Sequence, residues 1–369
     1  MKAIARRLGC MANTLRRTGF RVGFLFHRPA ILPVVLLVFF LFPSCGGTAR
    51  AADSAPVRVA GVEYLGDVPT VIAEHAGLFA RHGLDVEIAF NQSGKGNLER
   101  LRAGETDFAL MALTPLVLDR LADSSPGEPD DPVILASLVH SIRLIHVVAP
   151  VSGPVQRPAD LRERRVGLRK GTNAEFAWWL FAHFHGFDPA DVALVDYPVA
   201  RIPHALRDGE IDAAVIWEPW LSRLRASDAE AFRSFPASSG YTAKWVLVTT
   251  REIARNQPER CRAMLAAYRD AIASIDQDPE AAITVYAERA GIAEDILRRN
   301  WPALDYQLNL KWSVLATLQQ QIDWALRTGD WPAADAIRVL DFVDAAALRG
   351  LDPSIVGIPG GSTNTESRP

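Results

Sequence analysis

The sequence predicts an α/β protein of two similar lobes, built mainly from parallel sheets flanked by helices. Three observations point there. Short apolar runs alternate with helical patterns along most of the chain, the order that produces parallel strands. One segment repeats: Leu101–Ala109 (LRAGETDFA) returns as Leu206–Ala214 (LRDGEIDAA), 105 residues later. After about residue 250 the pattern becomes almost wholly helical.

The expected strands, in order, are Val57–Ala60, Val86–Ala89, Phe108–Met111, Val133–Leu138, Leu144–Val148, Val166–Leu168, Val192–Val195, Ala213–Trp217 and Trp245–Val248. A helix is expected from Pro69 to Gly77, with proline in its first turn and glycine at its end. Another runs from Asn173 to His185 and is closed by Gly186. Each copy of the repeat ends a helix, turns on glycine and enters a strand. A period of that length is too long for a solenoid and fits two related lobes. Cys261, Leu265, Tyr268, Ile272 and Ile275 share one helical stripe, so Cys261 reads as a small buried hydrophobe.

Composition bounds the partners. Of 369 residues, 49% are hydrophobic and 22% charged, an ordinary globular balance. The first 45 residues hold seven of the 40 basic and none of the 43 acidic residues, so the remainder carries a net charge of −10. An acidic body argues against nucleic acid as a partner. Three cysteines are too few for a disulfide scaffold.

The basic start precedes the uncharged run Ile31–Phe42. That run is too short to span a bilayer and has the length of a signal-peptide core. Two cleavage readings stand. Leu41–Gly46 resembles a lipoprotein box, with Cys45 as the lipidated residue; Phe42 and Pro43 fit it poorly. Ala49-Arg50-Ala51 is an A-x-A site that would release a soluble protein. The cysteine directly after the apolar run favours the first. Either way the body, with Cys261 alone, forms no internal disulfide.

A family resemblance runs over roughly residues 57–345. Ala73–Phe79 (AEHAGLF) with His82–Val86 (HGLDV), Leu101–Phe108, Ala159–Gly167 (ADLRERRVG) and Trp217–Trp220 (WEPW) together resemble the type 2 periplasmic binding proteins of ABC importers, in the branch for sulfonates, taurine, nitrate and thiamine precursors. The resemblance implies a two-lobed fold with a ligand cleft between the lobes. It implies a signal segment at 1–45, lobe I at 56–148 and 243–345, lobe II at 149–242, and a tail at 346–369. Ala149–Pro158 and Phe235–Tyr241 are the expected crossings. It also implies a periplasmic protein without cofactor or catalysis. Its partners would be a small solute, a membrane permease with its ATPase and, through lipid on Cys45, the membrane.

Ligands of open α/β sheets lie beyond the carboxyl ends of the strands. After the first strand come Glu63 and Tyr64, while Asp67 reads as a helix cap. The loop Asn91–Asn97 offers Asn97 and two glycines at a helix start, where backbone amides can face an anion. Lys95 there reads equally as a surface charge. Thr114 precedes a proline at a helix start. Thr172 and Glu175 form a capping box, yet the turn with Asn173 also suits an anion. Trp217 and Glu218 are read as a wall and a carboxylate facing the cleft. Helix ends would take an anionic head, and Glu63 and Glu218 a cationic or hydrogen-donating part. A zwitterionic aminosulfonate or a neutral aminopyrimidine would fit that set.

Other classes find less support. The sequence lacks G-x-S-x-G and H-E-x-x-H. His183 and His185, two apart on a helix, point in different directions and read as part of a packed face. Eukaryotic pyrimidine synthases of this fold carry a cysteine-rich motif that is absent here. A ligand-sensing lipoprotein uncoupled from transport is the remaining alternative.

Overall fold

The computed structural model describes residues 55–123, 127–226, 230–237, 240–332 and 337–359. They belong to one compact unit, Ser54–Pro369. The basic start, the apolar run, Cys45 and both cleavage readings lie outside the described residues.

The strands are β1 (Val57–Val62), β2 (Val86–Asn91), β3 (Phe108–Ala112), β4 (Pro132–Ser141), β5 (Ile145–Pro150), β6 (Arg165–Leu168), β7 (Ala193–Asp196), β8 (Ala213–Trp217), β9 (Phe232–Pro236), β10 (Ala243–Thr250) and β11 (Leu304–Asn309). They make two sheets, ordered β11-β4-β10-β3-β1-β2 and β7-β6-β8-β5-β9.

Both sheets are mixed rather than mainly parallel. Strands β1, β2 and β3 pair in parallel, as do β6, β7 and β8. There helices connect successive strands, as the alternation predicts. Strands β4, β10 and β11 pair antiparallel in the first sheet, and β5 runs antiparallel to β8 and β9 in the second. These strands enter from the other sheet or from helices packed elsewhere, so no crossover fixes them parallel. Two strands went unforeseen. β9 is half-exposed and β11 mixes polar and apolar residues, so neither carries a run of apolar side chains.

The chain leaves the first sheet after Ser141 and enters the second at Ile145. The passage is therefore Ile142–Leu144, earlier than the proline-rich stretch expected. Ile145, Val147, Val148 and Ala149 are fully buried in the second sheet, which outweighs the nearby prolines. The return lies between Pro236 and Ala243. Residues 346–359 are more than a tail. Helix Ala346–Leu351 buries Leu348 completely, and Val356 bridges to Leu310.

The repeat has a physical content. In the first copy Asp107 accepts from Arg58 N (2.8 Å), and the Arg58 guanidinium bonds Asp107 Oδ1 (2.7 Å) and Gly104 O (2.8 Å). In the second, Asp212 accepts from Arg165 N (2.9 Å), and Arg165 bonds Asp212 Oδ1 (3.1 Å) and Gly209 O (2.9 Å). Gly104 and Gly209 have φ of +67° and +69°, and a Cβ on either would stand in open space, so backbone conformation alone demands glycine. The aspartate clamps the turn to the start of the adjacent parallel strand in each lobe.

Cys261 is buried on helix Pro258–Gln277 together with Leu265, Tyr268, Ile272 and Ile275. Burial pushes its thiol up to about 12. His183 is exposed and bonds Trp179 O (2.8 Å), while His185 caps the helix end and packs on Phe181, so the expected packed face is not formed and the two imidazoles are held apart.

Candidate functional site

Strand ends from both sheets meet at one narrow cleft. The first sheet contributes Tyr64 past β1, Ser93, Gly94 and Lys95 past β2, Ala112 and Pro115 after β3, and Trp245 of β10. The second contributes Thr172 and Asn173 past β6 and Trp217 at the end of β8. The lined space holds roughly one water molecule.

Three helices start at this cleft: Gly94–Arg102, Leu113–Ala122 and Asn173–Phe184. First-turn N–H groups lack intrahelical partners, and the helix dipole makes each such end partly positive. Glycine sets how close the first comes. A Cβ on Gly94 would lie 2.6 Å from Met111 Cβ and 2.8 Å from its Cα, so only glycine lets the helix start rest on β3. Gly171, at φ +77°, turns the chain into the third helix and leaves the space occupied by the Lys95 side chain. Lys95 Nζ reaches across to Lys170 O at 3.5 Å.

The aromatic wall is packed ring on ring. Tyr64 meets Trp217 edge-on (6.3 Å, 74°) and Trp245 at a tilt (5.7 Å, 49°). Burial pushes the Tyr64 phenol well above its ordinary value, so it stays a neutral O–H donor. Trp217 Nε1 is buried and has no partner among the described residues. Thr172 is both cap and wall: its hydroxyl donates to Arg169 O (2.7 Å) and accepts from Ala174 N (3.3 Å). Glu175 bonds Gly171 N (2.7 Å) instead of closing the expected box on Thr172 N. Asn173 lines the cleft at the first position of its helix.

Tyr64, Thr172, Asn173 and Trp217 are thus brought together, and four other expected residues are not. Asn97 is fully buried; its Nδ2 donates to Ala60 O, Gly61 O and Leu110 O, and its Oδ1 accepts from Asn91 Nδ2. It staples helix Gly94–Arg102 to β1 and β3 and has no bond to spare. Thr114 is fully buried and does not line the cleft, though its neighbours Ala112 and Pro115 do. Glu63 is exposed and lines a separate cavity. Glu218 is captured by the helix that follows it: its carboxylate accepts from Ser222 N (3.0 Å), in a different hollow beside Arg225 and Asn300. Burial there raises its pKa.

Lys95, Ser93, Gly94 and Trp245 complete the site. The glycine-rich loop signalled the first three. Trp245 left no such signal, because it stands at the start of an antiparallel strand. Its register opposite Ala112 of β3 brings it to the same end of the sheet.

Asp67 sits behind the wall, fully buried. Its carboxylate accepts from Val62 N (2.7 Å) and from the hydroxyl of Thr70, in the first turn of the helix it precedes; that hydroxyl shares a 2.8 Å bond with Tyr268. Desolvation pushes its pKa up to about 8. A folded-state value above the unfolded one means folding takes up a proton between the two. The resulting stability is full below the unfolded value and is lost as pH rises through about 8. Urea titrations should therefore show stability falling from pH 5 to pH 8, by at most about 1.4 kcal/mol per pH unit. Asp67→Asn should flatten that dependence; an unchanged slope would exonerate Asp67.

The chain belongs to the NMT1/THI5-like family, whose model matches residues 67–282. It is similar to a Bacillus subtilis protein named as an aliphatic sulfonates-binding protein, with 20% identity over 329 residues, 86% of this chain and 95% of the relative. Among solved structures it resembles the alkanesulfonate-binding protein SsuA from Xanthomonas axonopodis pv. citri bound to MOPS. There the TM-score is 0.65 at 18% identity, over 79% of this chain and 98% of that one. The desulfurization enzyme DSZB shares the fold as well, with a TM-score of 0.58 at 13% identity, over 82% of this chain and 99% of that one. The architecture is the two-lobed periplasmic-binding-protein fold.

Proposed function

We propose that this protein is the extracytoplasmic solute-binding component of an ABC importer, and that it captures a small organic sulfonate without transforming it. The carrying observation is the convergence, from both lobes, of three helix N-termini and Lys95 on a cleft walled by Tyr64, Trp217 and Trp245. Positive helix ends and backbone amides suit an oxyanion head. The aromatic wall suits its alkyl or aryl body.

The positions of Glu63 and Glu218 narrow the solute class. With both carboxylates outside the cleft, nothing acidic there meets an ammonium or an aminopyrimidine. The reading therefore moves from the zwitterion and the neutral base toward a simple organic anion. Lobe closure on that anion would present a closed surface to a permease, with the energy for import supplied by ATP hydrolysed in its ATPase subunit. Export and lipid attachment at Cys45 belong to the same proposal. The named relatives support binding over catalysis, and the shared fold of a desulfurization enzyme makes turnover worth measuring directly.

A thermal-shift panel tests the reading: hexanesulfonate, MOPS, taurine, nitrate and a hydroxymethylpyrimidine. A solute at about 100 times its dissociation constant adds about 2.7 kcal/mol. Alkanesulfonates should give the largest upward shift, and the recovered solute should be chemically unchanged. A response confined to the pyrimidine would overturn the assignment, and sulfite release would place the protein among enzymes.

A further inference from the structure

A second cavity, of about 130 Å³, opens on the other side of the β1 end. Glu63, Phe90, Arg223, Tyr286 and Arg289 line it. Glu63 and Tyr64 are consecutive, and Tyr64 is extended. They line different cavities, Glu63 this one and Tyr64 the cleft.

Each lobe supplies one guanidinium. Arg223 stands on helix Trp220–Arg225, which follows β8 of the second sheet, and Arg289 on helix Pro279–Ala290. Arg223 lies over Trp220 (Cζ 4.8 Å from the ring centre) and Arg289 over Phe90 (4.4 Å). With their faces covered, both groups are held as flat forks with edge N–H groups available. Arg223 Nη2 donates to Ala290 O (3.0 Å), and among the described residues no carboxylate lies within ion-pair distance of it. Among the described residues Arg289 has one carboxylate partner, Glu74, at 4.0 Å. Two arginines and the carboxylate of Glu63 thus share one hollow, a pairing of opposite charges across it. The buried Tyr286 lines the same hollow.

We propose that this cavity binds a planar organic carboxylate bearing an amine, separately from the sulfonate cleft. A carboxylate matches the two-pronged edge of a guanidinium. Phe90 and Tyr286 offer faces for a flat ring, and the volume is that of a single ring: a cavity of roughly 150 Å³ takes benzene. Glu63 accepts from the amine and discriminates against a bare anion.

Calorimetric titration of the purified protein with 4-aminobenzoate and with benzoate tests this. Saturable binding of 4-aminobenzoate is expected, with benzoate weaker. Arg289→Gln and Arg223→Gln should each weaken 4-aminobenzoate by about tenfold, the loss of one charge-assisted pair. Glu63→Gln should erase the preference over benzoate. Lys95→Gln, which disables the other cleft, should change neither, so the two sites succeed or fail independently. Arg289→Lys serves if Arg289→Gln unfolds. The proposal is overturned by the absence of saturable binding up to about 10 mM, beyond the range of even a weak site. Binding unaltered by Arg289→Gln, or abolished by Lys95→Gln, overturns it equally.

Discussion

Replacing Asp131 with alanine should destabilise the protein by about 3–5 kcal/mol, because it strands the buried cation of Arg120. Asp131 is fully buried just before β4. Its carboxylate accepts from Arg120 Nη1 (2.7 Å), Arg102 Nη1 (3.3 Å) and Gly127 N (2.6 Å), with Arg251 at 3.9 Å. Arg120 is itself 2% exposed, bonds Pro132 O (3.0 Å) and lies over Phe342. Burial lowers the Arg120 pKa, and the charge of Asp131 opposes that. The cluster joins helix Leu113–Ala122, β4, the helix after β10 and the segment around Phe342. The melting temperature should fall by roughly 10 °C. A second variant separates the causes. Arg120→Met with Asp131→Ala should recover part of the loss, since it removes the stranded charge along with its partner. A double variant as unstable as the single one would show that packing, not charge, is responsible.

The second large effect is on binding, and it separates two neighbours in one loop. Lys95→Gln should weaken alkanesulfonate binding by about 10- to 100-fold, the loss of a charge-assisted bond of roughly 1.5–3 kcal/mol. The melting curve of the empty protein should barely move, because Lys95 is half-exposed and bonds only Lys170 O at 3.5 Å. Asn97→Ala should do the reverse. It leaves the carbonyls of Ala60, Gly61 and Leu110 without their shared donor. Each buried unsatisfied group costs about 1–3 kcal/mol. Equal binding losses in both variants, at equal stability, would break the distinction between ligand contact and scaffold. Trp217→Ala is a poorer probe. The indole is 4% exposed and packs on Tyr64, so truncation should cost stability as well as affinity.

The alternating half of the architecture is legible in the residues alone. Runs such as Val57–Val62 and Ala213–Trp217 bury almost every side chain, and a buried parallel strand is legible because it is apolar throughout. The paired turns are legible there as well. An Asp-clamped, left-handed glycine turn is a local device, and both copies carry its residues. The helix starts of the site were local too, since Ser93, Thr172 and the glycines beside them act within a few residues of themselves.

Tertiary structure decided the rest. Whether Asn97 or Lys95 lined the cleft depended on three carbonyls from β1 and β3, more than ten residues from Asn97. Whether Glu218 faced the cleft depended on Ser222 N–H, free because a helix begins there. Glu63 parted from Tyr64 in the bend after β1, and only the packing of helix Pro279–Ala290 gave Glu63 a cavity of its own. Trp245 joined the wall through an antiparallel register with β3. Polar side chains can serve a helix end, a carbonyl or a ligand with the same atoms. The choice falls to whichever partner the fold brings within about 3 Å, and that distance is set by contacts remote in sequence.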